Sequence, residues 1–190
     1  VTEISDLNAV MDFVKGKDFV DSDRLFLLGQ SQGGFVSAMT AAARPDEVKA
    51  MILVYPALCL VDDLHEFVPD INALEGDTFE SAMGTLGTVY AKDAYDIDVF
   101  NEIAKYPGDV LIIHGLNDKT VPYDYSLRAV TEAYGEAASE LVLITKDDRV
   151  IVTPGLTADF TESGTGYTYE YLGHRRGRRA LSRVPAEIGR

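Results

Sequence analysis

The chain has one cysteine, no tryptophan and no long hydrophobic run among its 190 residues. A single cysteine, Cys59, cannot form a disulfide within the chain, which favours a reducing, cytoplasmic location. No apolar stretch approaches the roughly 20 residues that a membrane-spanning helix needs, so the sequence predicts no such helix. Zinc-type Cys/His spacing, a phosphate-binding glycine-rich loop and a dinucleotide fingerprint are also missing, so we expect no metal and no cofactor.

Positive charge is scarce too. The chain has 17 Lys and Arg residues and 31 Asp and Glu residues, which gives a net charge of −14 at pH 7. An acidic chain is repelled by nucleic acid and by anionic membranes, so we expect neither as a partner. The acidity is confined to residues 1–145, whereas residues 146–190 are basic, with six arginines between Arg175 and Arg190. This shift predicts a domain over 1–145, followed by a divergent segment with the composition of a disordered or foreign tail.

Apolar residues form two kinds of pattern along the first 145 residues. Short continuous apolar runs predict buried strands, and apolar residues at helical spacing predict helices. The predicted strands are 24–28, 50–55, 109–113 and 140–145, and the predicted helices are 3–15, 32–43 and 123–136. Strands that alternate with helices in this way indicate an α/β fold with a mainly parallel sheet.

The segment between the second and third predicted strands, about residues 57–106, is too long for a simple connection. It contains helical stretches and five aromatic residues, Phe67, Phe79, Tyr90, Tyr95 and Phe100. An insertion at the carboxyl edge of a parallel sheet is well placed to be a lid over a ligand crevice. The alternative is that these aromatic residues form the insertion's own small core.

The most informative motif is Gly29-Gln30-Ser31-Gln32-Gly33-Gly34, directly after the first predicted strand. A serine bracketed by glycines between a strand and a helix has the sequence form of a nucleophile elbow. We expect the residues two before and two after Ser31 to have no room for side chains, which glycine satisfies. The amide of Gln32 would then point at the reacting atoms as an oxyanion-hole donor. The alternative is a plain strand-turn-helix connection with a solvated serine.

A serine nucleophile needs a base, and the base needs an acid that holds its tautomer. The best candidate for the acid is Asp118, in the loop after the third predicted strand, at the same sheet edge as Ser31. For Asp118, an Asx turn or a helix cap remains an alternative. His114 lies at the end of that strand, where we predict a packed, hydrogen-bonded core histidine rather than the base.

With these motifs the chain resembles the α/β-hydrolase family of serine hydrolases, in which the serine also precedes the acid. The elbow at Ser31 and the loop His114-Gly115-x-x-Asp118-x-x-Val121-Pro122 carry this resemblance. Within the family the chain is most similar to the cinnamoyl (feruloyl) esterase-like group, which shares features with serine aminopeptidase-type hydrolases. The stretches 2–7 and 56–58 support this likeness, which covers about residues 1–145.

The resemblance implies that Ser31 is the nucleophile, Asp118 the triad acid and the Gln32 amide half of the oxyanion hole. It also implies that a small-molecule ester substrate forms an acyl-enzyme, which water then hydrolyses. The family's base is a histidine in the loop after the strand that here ends near residue 145, but residues 146–150 contain none. His174, in the arginine-rich tail, is the remaining candidate, although a base must be held firmly within hydrogen-bond reach.

The chain also opens inside the helix that precedes the elbow, without the earlier strands and second oxyanion loop that the family implies. We therefore expect a fragment whose strand 24–28 forms an exposed apolar edge through which the isolated chain self-associates. Three functions stay open: an esterase that is nearly inert as this fragment, an aminopeptidase-like serine hydrolase, and a non-catalytic α/β-hydrolase-like binding module. The missing histidine favours the last of these.

Overall fold

The computed structural model describes residues 2–134, 138–144, 149–152, 157–163 and 166–172. The helices are α1 (Thr2–Lys15), α2 (Gln32–Ala43), α3 (Leu60–Phe67), α4 (Thr88–Ala94), α5 (Val99–Ile103) and α6 (Asp124–Arg128). The strands are β1 (Leu25–Gln30), β2 (Val48–Val54), β3 (Thr78–Ser81), β4 (Gly84–Gly87), β5 (Asp109–Gly115), β6 (Ser139–Ile144), β7 (Arg149–Val152), β8 (Thr157–Ser163) and β9 (Gly166–Leu172). None of the helices described here has the length and apolar character needed to cross a membrane.

The central sheet has the strand order β1-β2-β5-β6-β7. Its first four strands are parallel, and β7 is antiparallel to β6. Helix α2 packs on β1 and β2, and both α1 and α5 pack on α2, so these helices cover one face of the sheet. The strand side chains on that face are fully buried, as with Leu53, Ile112 and Leu141. The predicted α/β fold with a mainly parallel sheet is confirmed.

Most predicted elements are present with bounds shifted by one or two residues, and α2 begins and ends where the sequence predicts. The helix predicted over 123–136 is different. Its α-helical part ends at Arg128, and the chain continues as a π-helical turn over Ala129–Ala133. Ala129 and Val130 are fully buried there, and apolar spacing alone does not distinguish this wider turn from an α-helical one.

The insertion after β2 has a small core of its own, formed by Leu64, Val68, Phe79, Ala91 and Ala94. The side chains of Tyr90 and Tyr95 pack against this core, whereas Phe100 packs against the main core and Phe67 is exposed. The own-core interpretation is therefore confirmed for three of the five aromatic residues. The sequence predicted only helices here, but β3 and β4 form an antiparallel hairpin. A lid role for the insertion stays a prediction.

Beyond residue 145 the described backbone consists of strands. Strand β7 joins the central sheet, and β8 pairs with β9 in a separate two-stranded sheet. Tyr167, Tyr169 and Tyr171 alternate in the sequence of β9, a pattern that is typical of a strand. The division of the chain at residue 145 stays a prediction.

An ion-pair network joins α1 to the end of α2. The guanidinium group of Arg44 donates to Asp12, to the backbone carbonyl of Asn8 and to both carboxylate oxygens of Glu47. Lys15 also pairs with Glu47. The hydrogen bonds from Arg44, and then those from Lys15, lower the pKa of Glu47 to about 2. Because Arg44 is only 17% exposed and bonds to two carboxylates, this network stabilises the fold more than an isolated surface pair would.

Replacing Arg44 by Met should lower the free energy of unfolding at pH 6 by about 1–2 kcal/mol. The pKa of Glu47 is lower in the folded state, so its contribution should be complete above about pH 4.3 and fade as the pH falls towards the folded-state value. Urea unfolding at pH 6 and pH 3 measures both effects. Lys105→Met, which removes an exposed pair with Glu102, is the control and should cost less than about 0.5 kcal/mol. Equal losses in the two variants at pH 6 would contradict this account.

The other face of the sheet carries exposed apolar side chains. Phe26 is 60% exposed and Leu28 is 70% exposed, and Leu28 lies in register with Ile52, itself 39% exposed. Strand β1 is also an edge strand of the sheet that the structure describes. A long apolar edge strand is a template for pairing with another chain. These positions agree with the predicted exposed edge at 24–28, and self-association through it stays a prediction.

We expect the isolated chain to form dimers or larger species that Leu28→Lys weakens, because a charge on an edge strand opposes pairing. Sedimentation velocity over a range of protein concentrations measures this. Met83→Lys is the matched control, since Met83 is equally exposed, at 68%, but lies in the insertion between β3 and β4. A wild-type chain that sediments as a single monomer at every concentration would show the expectation to be wrong.

Candidate active site

Ser31 lies between β1 and α2 in a conformation that non-glycine residues rarely adopt, with φ 52° and ψ −124°. Such a backbone costs on the order of 1–3 kcal/mol and persists only when its surroundings fix it. Here the Ser31 amide donates to the Val54 carbonyl at 3.0 Å, and the Ser31 carbonyl accepts from the Ala57 amide at 2.9 Å. The strained turn is therefore tied to the end of β2 and to the loop that follows.

Two glycines allow the close approach around this turn. A Cβ on Gly29 would lie 2.2 Å from the carbonyl oxygen of Gly33, and one on Gly34 would lie 2.7 Å from the Cβ of Pro56. A Cβ on Gly33, by contrast, would meet nothing within 4 Å. The expectation that both residues two away from Ser31 lack room is therefore right for Gly29 and wrong for Gly33. The steric restriction after Ser31 falls on Gly34, because α2 packs there on the loop after β2.

These distances predict opposite effects for neighbouring glycine substitutions. Gly29→Ala should destabilise the chain by about 2–3 kcal/mol or prevent folding, because the added methyl collides with backbone that cannot move freely. Gly33→Ala should be neutral or stabilising by about 0.5–1 kcal/mol, since alanine is the better helix former and the site is open. Urea unfolding of both variants measures this. A Gly33→Ala loss as large as that of Gly29→Ala would disprove the steric account.

Gln32 is the first residue of α2, so its backbone amide is one of the helix-start amides without a partner in the preceding turn. Its side chain is held separately, because Nε2 donates to Oε1 of Glu3 on α1 at 3.3 Å. No local sequence pattern indicates this contact with Glu3. The amide is therefore available beside Ser31, which is the placement expected of an oxyanion-hole donor.

Asp118 lies in the loop after β5, where one oxygen of its carboxylate is already engaged. Oδ1 accepts hydrogen bonds from the amides of Thr120 at 2.9 Å and Val121 at 3.0 Å. The bond from the Val121 amide, more than that from Thr120, lowers the pKa of Asp118, so the group is ionised at neutral pH. The Asx-turn interpretation is thus correct for Oδ1. The helix-cap interpretation is wrong, because Tyr123 is the residue that precedes α6.

The sheet brings Ser31 and Asp118 to the same edge. Gln30, Val54 and Ile113 lie side by side in register on β1, β2 and β5. Strands β1 and β2 end there, and β5 ends two residues later at Gly115. Ser31 follows Gln30 directly, and Asp118 follows the end of β5 by three residues. Two strand spacings separate β1 from β5 by roughly 10 Å. That gap is the size that a side chain such as imidazole can bridge.

His114 is buried, with 1% of its surface exposed, and both ring nitrogens have partners. Nδ1 lies 2.7 Å from Oγ of Ser126, and Nε2 lies 2.9 Å from the carbonyl oxygen of Val121. The prediction of a packed, hydrogen-bonded core histidine is confirmed. His65, on α3, contacts the carbonyl of Tyr95 in the insertion at 2.8 Å. His174, the candidate base, lies outside the described residues.

Cys59, directly before α3, is a second side chain of a type that can act as a nucleophile. Burial, and then the neighbouring Asp63, raises the pKa of the Cys59 thiol to about 12. The thiol is therefore protonated at neutral pH and a poor nucleophile. Ser31 is left as the better candidate.

Tyr55 is a residue of this region that the sequence did not single out. It has φ 37°, a positive value that is unusual for a bulky side chain. Its amide donates to the Ile113 carbonyl at 2.7 Å, and its ring lies edge-on to that of His114. Tyr55 therefore joins the end of β2, which holds Ser31, to the end of β5, which carries the Asp118 loop. The following Pro56 restricts Tyr55 but does not predict a positive φ.

The parallel sheet and the tight turn at Ser31 together are those of an α/β hydrolase. Solved structures of α/β hydrolases are similar to this chain over about three quarters of its length. Est1E from Butyrivibrio proteoclasticus matches with a TM-score of 0.64 and 29% identity, over 75% of this chain and 59% of that chain. Est1E with ferulic acid bound gives a TM-score of 0.63 and 30% identity, over 75% of this chain and 57% of that chain. A monoacylglycerol lipase from Paleococcus ferrophilus, at 16% identity and a TM-score of 0.51 over 75% of this chain and 64% of that one, shares the fold.

The chain matches the prolyl oligopeptidase family over residues 1–173, and it belongs to that family. The match extends past residue 145, where the resemblance to esterases was expected to stop. An α/β-hydrolase domain-containing protein of Arabidopsis thaliana, WAV2, is 31% identical over 119 residues, which are 63% of this chain and 38% of that protein. The chain thus spans less than two thirds of the length of WAV2 and of Est1E. The expected α/β-hydrolase fold with esterase-like similarity is confirmed.

Proposed function

We propose that this chain carries the nucleophile and the acid of a serine hydrolase that cleaves carboxylic esters through an acyl-enzyme. The strained backbone at Ser31 is the observation that carries the proposal. Glycine would adopt these angles without cost, yet the chain has a serine there, fixed by hydrogen bonds to Val54 and Ala57. Strain of this kind, held by its surroundings, is typical of functional residues.

In the proposed reaction, Oγ of Ser31 attacks the ester carbonyl while a base takes its proton. The carbonyl oxygen becomes an oxyanion that the Gln32 amide stabilises, and the alcohol leaves after it is protonated. Water then hydrolyses the acyl-enzyme by the same steps. The ionised Asp118 orients the base and stabilises its positive charge. His174 is the candidate for that base in this sequence.

An ester of a cinnamoyl or feruloyl acid is the substrate that we propose. The similarity to Est1E, at 29–30% identity, and the binding of ferulic acid by Est1E support this choice. The aromatic side chains at the junction of the insertion and the main core are compatible with an aryl group. Phe100 stacks on Tyr125 with ring centroids 6.4 Å apart, and the Tyr125 hydroxyl donates to Asp62 on α3 at 2.7 Å.

A second candidate is an aminopeptidase-like hydrolase, which the membership of the prolyl oligopeptidase family supports. It would use the same nucleophile and acid but would break an amide bond.

A binding module without catalysis is the third candidate, because the histidines within the described ranges, His65 and His114, are both bonded to backbone carbonyls. The three candidates differ in whether Ser31 is activated and in which bond is cleaved.

Labelling with a fluorophosphonate separates the catalytic candidates from the binding module, because only an activated hydroxyl reacts rapidly. We expect labelling that Ser31→Ala abolishes and that Asp118→Asn slows by several orders of magnitude, about 10⁴-fold in related triads. Ser5→Ala, on the exposed surface of α1, is the control and should label like the wild type. If the wild-type chain and Ser5→Ala stay unlabelled while both are folded, the binding module is favoured instead.

The substrate is tested with the same variants on ethyl ferulate and on an amino-acid arylamide. Ester cleavage that depends on Ser31, with slower arylamide cleavage, is the expected result. The reverse order would favour the aminopeptidase-like hydrolase. Loss of labelling in His174→Ala, but not in His65→Ala, would assign the base to His174.

A further inference from the structure

His114 is the most deeply buried titratable group beside the site, and the proposed reaction does not use it. A carbonyl oxygen can only accept, so the ring nitrogen 2.9 Å from the Val121 carbonyl, Nε2, must carry a proton. The neutral ring then has a free acceptor at Nδ1, which receives the hydroxyl proton of Ser126 at 2.7 Å. One tautomer of His114 is therefore fixed from both sides.

The protonation state of this ring is also fixed. Burial lowers the pKa of His114, although the Val121 carbonyl and the charges of Asp118 and Asp124 act in the opposite direction. The ring is therefore neutral at pH 7. From another element, Tyr55 on the loop after β2 packs against this ring in a T-shaped contact, with ring centroids 6.5 Å apart.

Val121 connects this ring to the carboxylate of Asp118. The Val121 carbonyl accepts from His114, and the Val121 amide donates to Oδ1 of Asp118 at 3.0 Å. One residue is thus held at both of its backbone polar groups. Nε2 of His114 lies 3.8 Å from Oδ2 of Asp118, which is too long for a hydrogen bond.

We propose that His114 is a positioning residue for Asp118. Its donation to the Val121 carbonyl holds the loop in the one conformation in which two amides occupy Oδ1 and Oδ2 stays open to a base. Within the described ranges, Oδ2 receives no hydrogen bond from the chain, and the Asp118 side chain is 23% exposed. The catalytic meaning of this arrangement rests on the proposed role of Asp118, but the arrangement itself can be measured without any activity.

Two substitutions of His114 separate the donated bond from the volume of the ring. His114→Leu fills a similar volume without a donor, whereas His114→Gln places an N–H at a similar distance from the backbone. In His114→Leu, the amides of Thr120 and Val121 should exchange with deuterium about five- to tenfold faster than in the wild type, the equivalent of one hydrogen bond. In His114→Gln, protection should be largely restored. Hydrogen exchange followed by NMR measures each amide separately.

A general loss of stability would speed the exchange of amides throughout the sheet and not only that of the loop amides. The amide of Ile112, in the middle of β5, reports on such a loss and should keep its protection if the effect is confined to the loop. Thr88→Val removes another side-chain to backbone bond, the part-buried one from Thr88 Oγ1 to the Gly76 carbonyl in the insertion, and should leave the loop amides unchanged. A carboxyl titration by ¹³C NMR gives a second readout, in which the pKa of Asp118 rises towards its ordinary value in His114→Leu only.

The proposal is overturned if the loop amides and the Asp118 titration are unchanged in His114→Leu, or if His114→Gln behaves like His114→Leu. If His114→Leu does not fold, Ser126→Ala keeps the ring and removes the bond that orients it. The same two amides should then exchange several-fold faster, and unchanged exchange would overturn the proposal as well. None of these readouts needs a reactive Ser31, so failure of the proposed hydrolase activity would be recognised separately.

Discussion

The hydrogen bond from the Ser31 amide to the Val54 carbonyl is the constraint on which the rest of the site depends. It extends the pairing of β1 with β2 by one residue past the end of the strands, and the chain must then turn sharply into α2. The turn fits only because Gly29 and Gly34 let the helix start lie against the strand and against Pro56. The position of Ser31, the direction of α2 and the burial of its apolar face therefore follow from one close contact.

Much of this arrangement could be predicted from residue types alone. The run Leu25–Leu28 before the glycines predicts a strand, and the small residues of α2 after them predict a closely packed helix. The burial expected of that strand is right for Leu27 but wrong for Phe26 and Leu28, which are exposed. Asp118 could be found because a buried strand with a loop after it ends at the sheet edge that carries the elbow. These inferences succeed because they depend on local pattern and on the geometry that all parallel sheets share.

The remaining features depend on contacts between distant residues, and no local pattern reveals them. The positive φ of Tyr55 arises because its amide reaches the Ile113 carbonyl of another strand. The hairpin of β3 and β4 has short strands whose side chains are mostly exposed, so it lacks the alternation that predicts strands. The open space at Gly33 likewise depends on where Pro56 lies. At the start of α2 it is Gly34, and not Gly33, that lies against Pro56.

The two halves of the site differ in how the chain must fold to make them. The hydrogen bonds described above that fix Asp118 join residues between His114 and Ser126, so β5, its loop and α6 can form them as a local unit. Ser31 takes its conformation only after β2 has paired with β1 and the loop after β2 has closed on α2. The Asp118 loop depends on local contacts, whereas the strained turn at Ser31 is complete only when non-local strand pairing is complete. Formation of the elbow thus reports that the sheet has assembled.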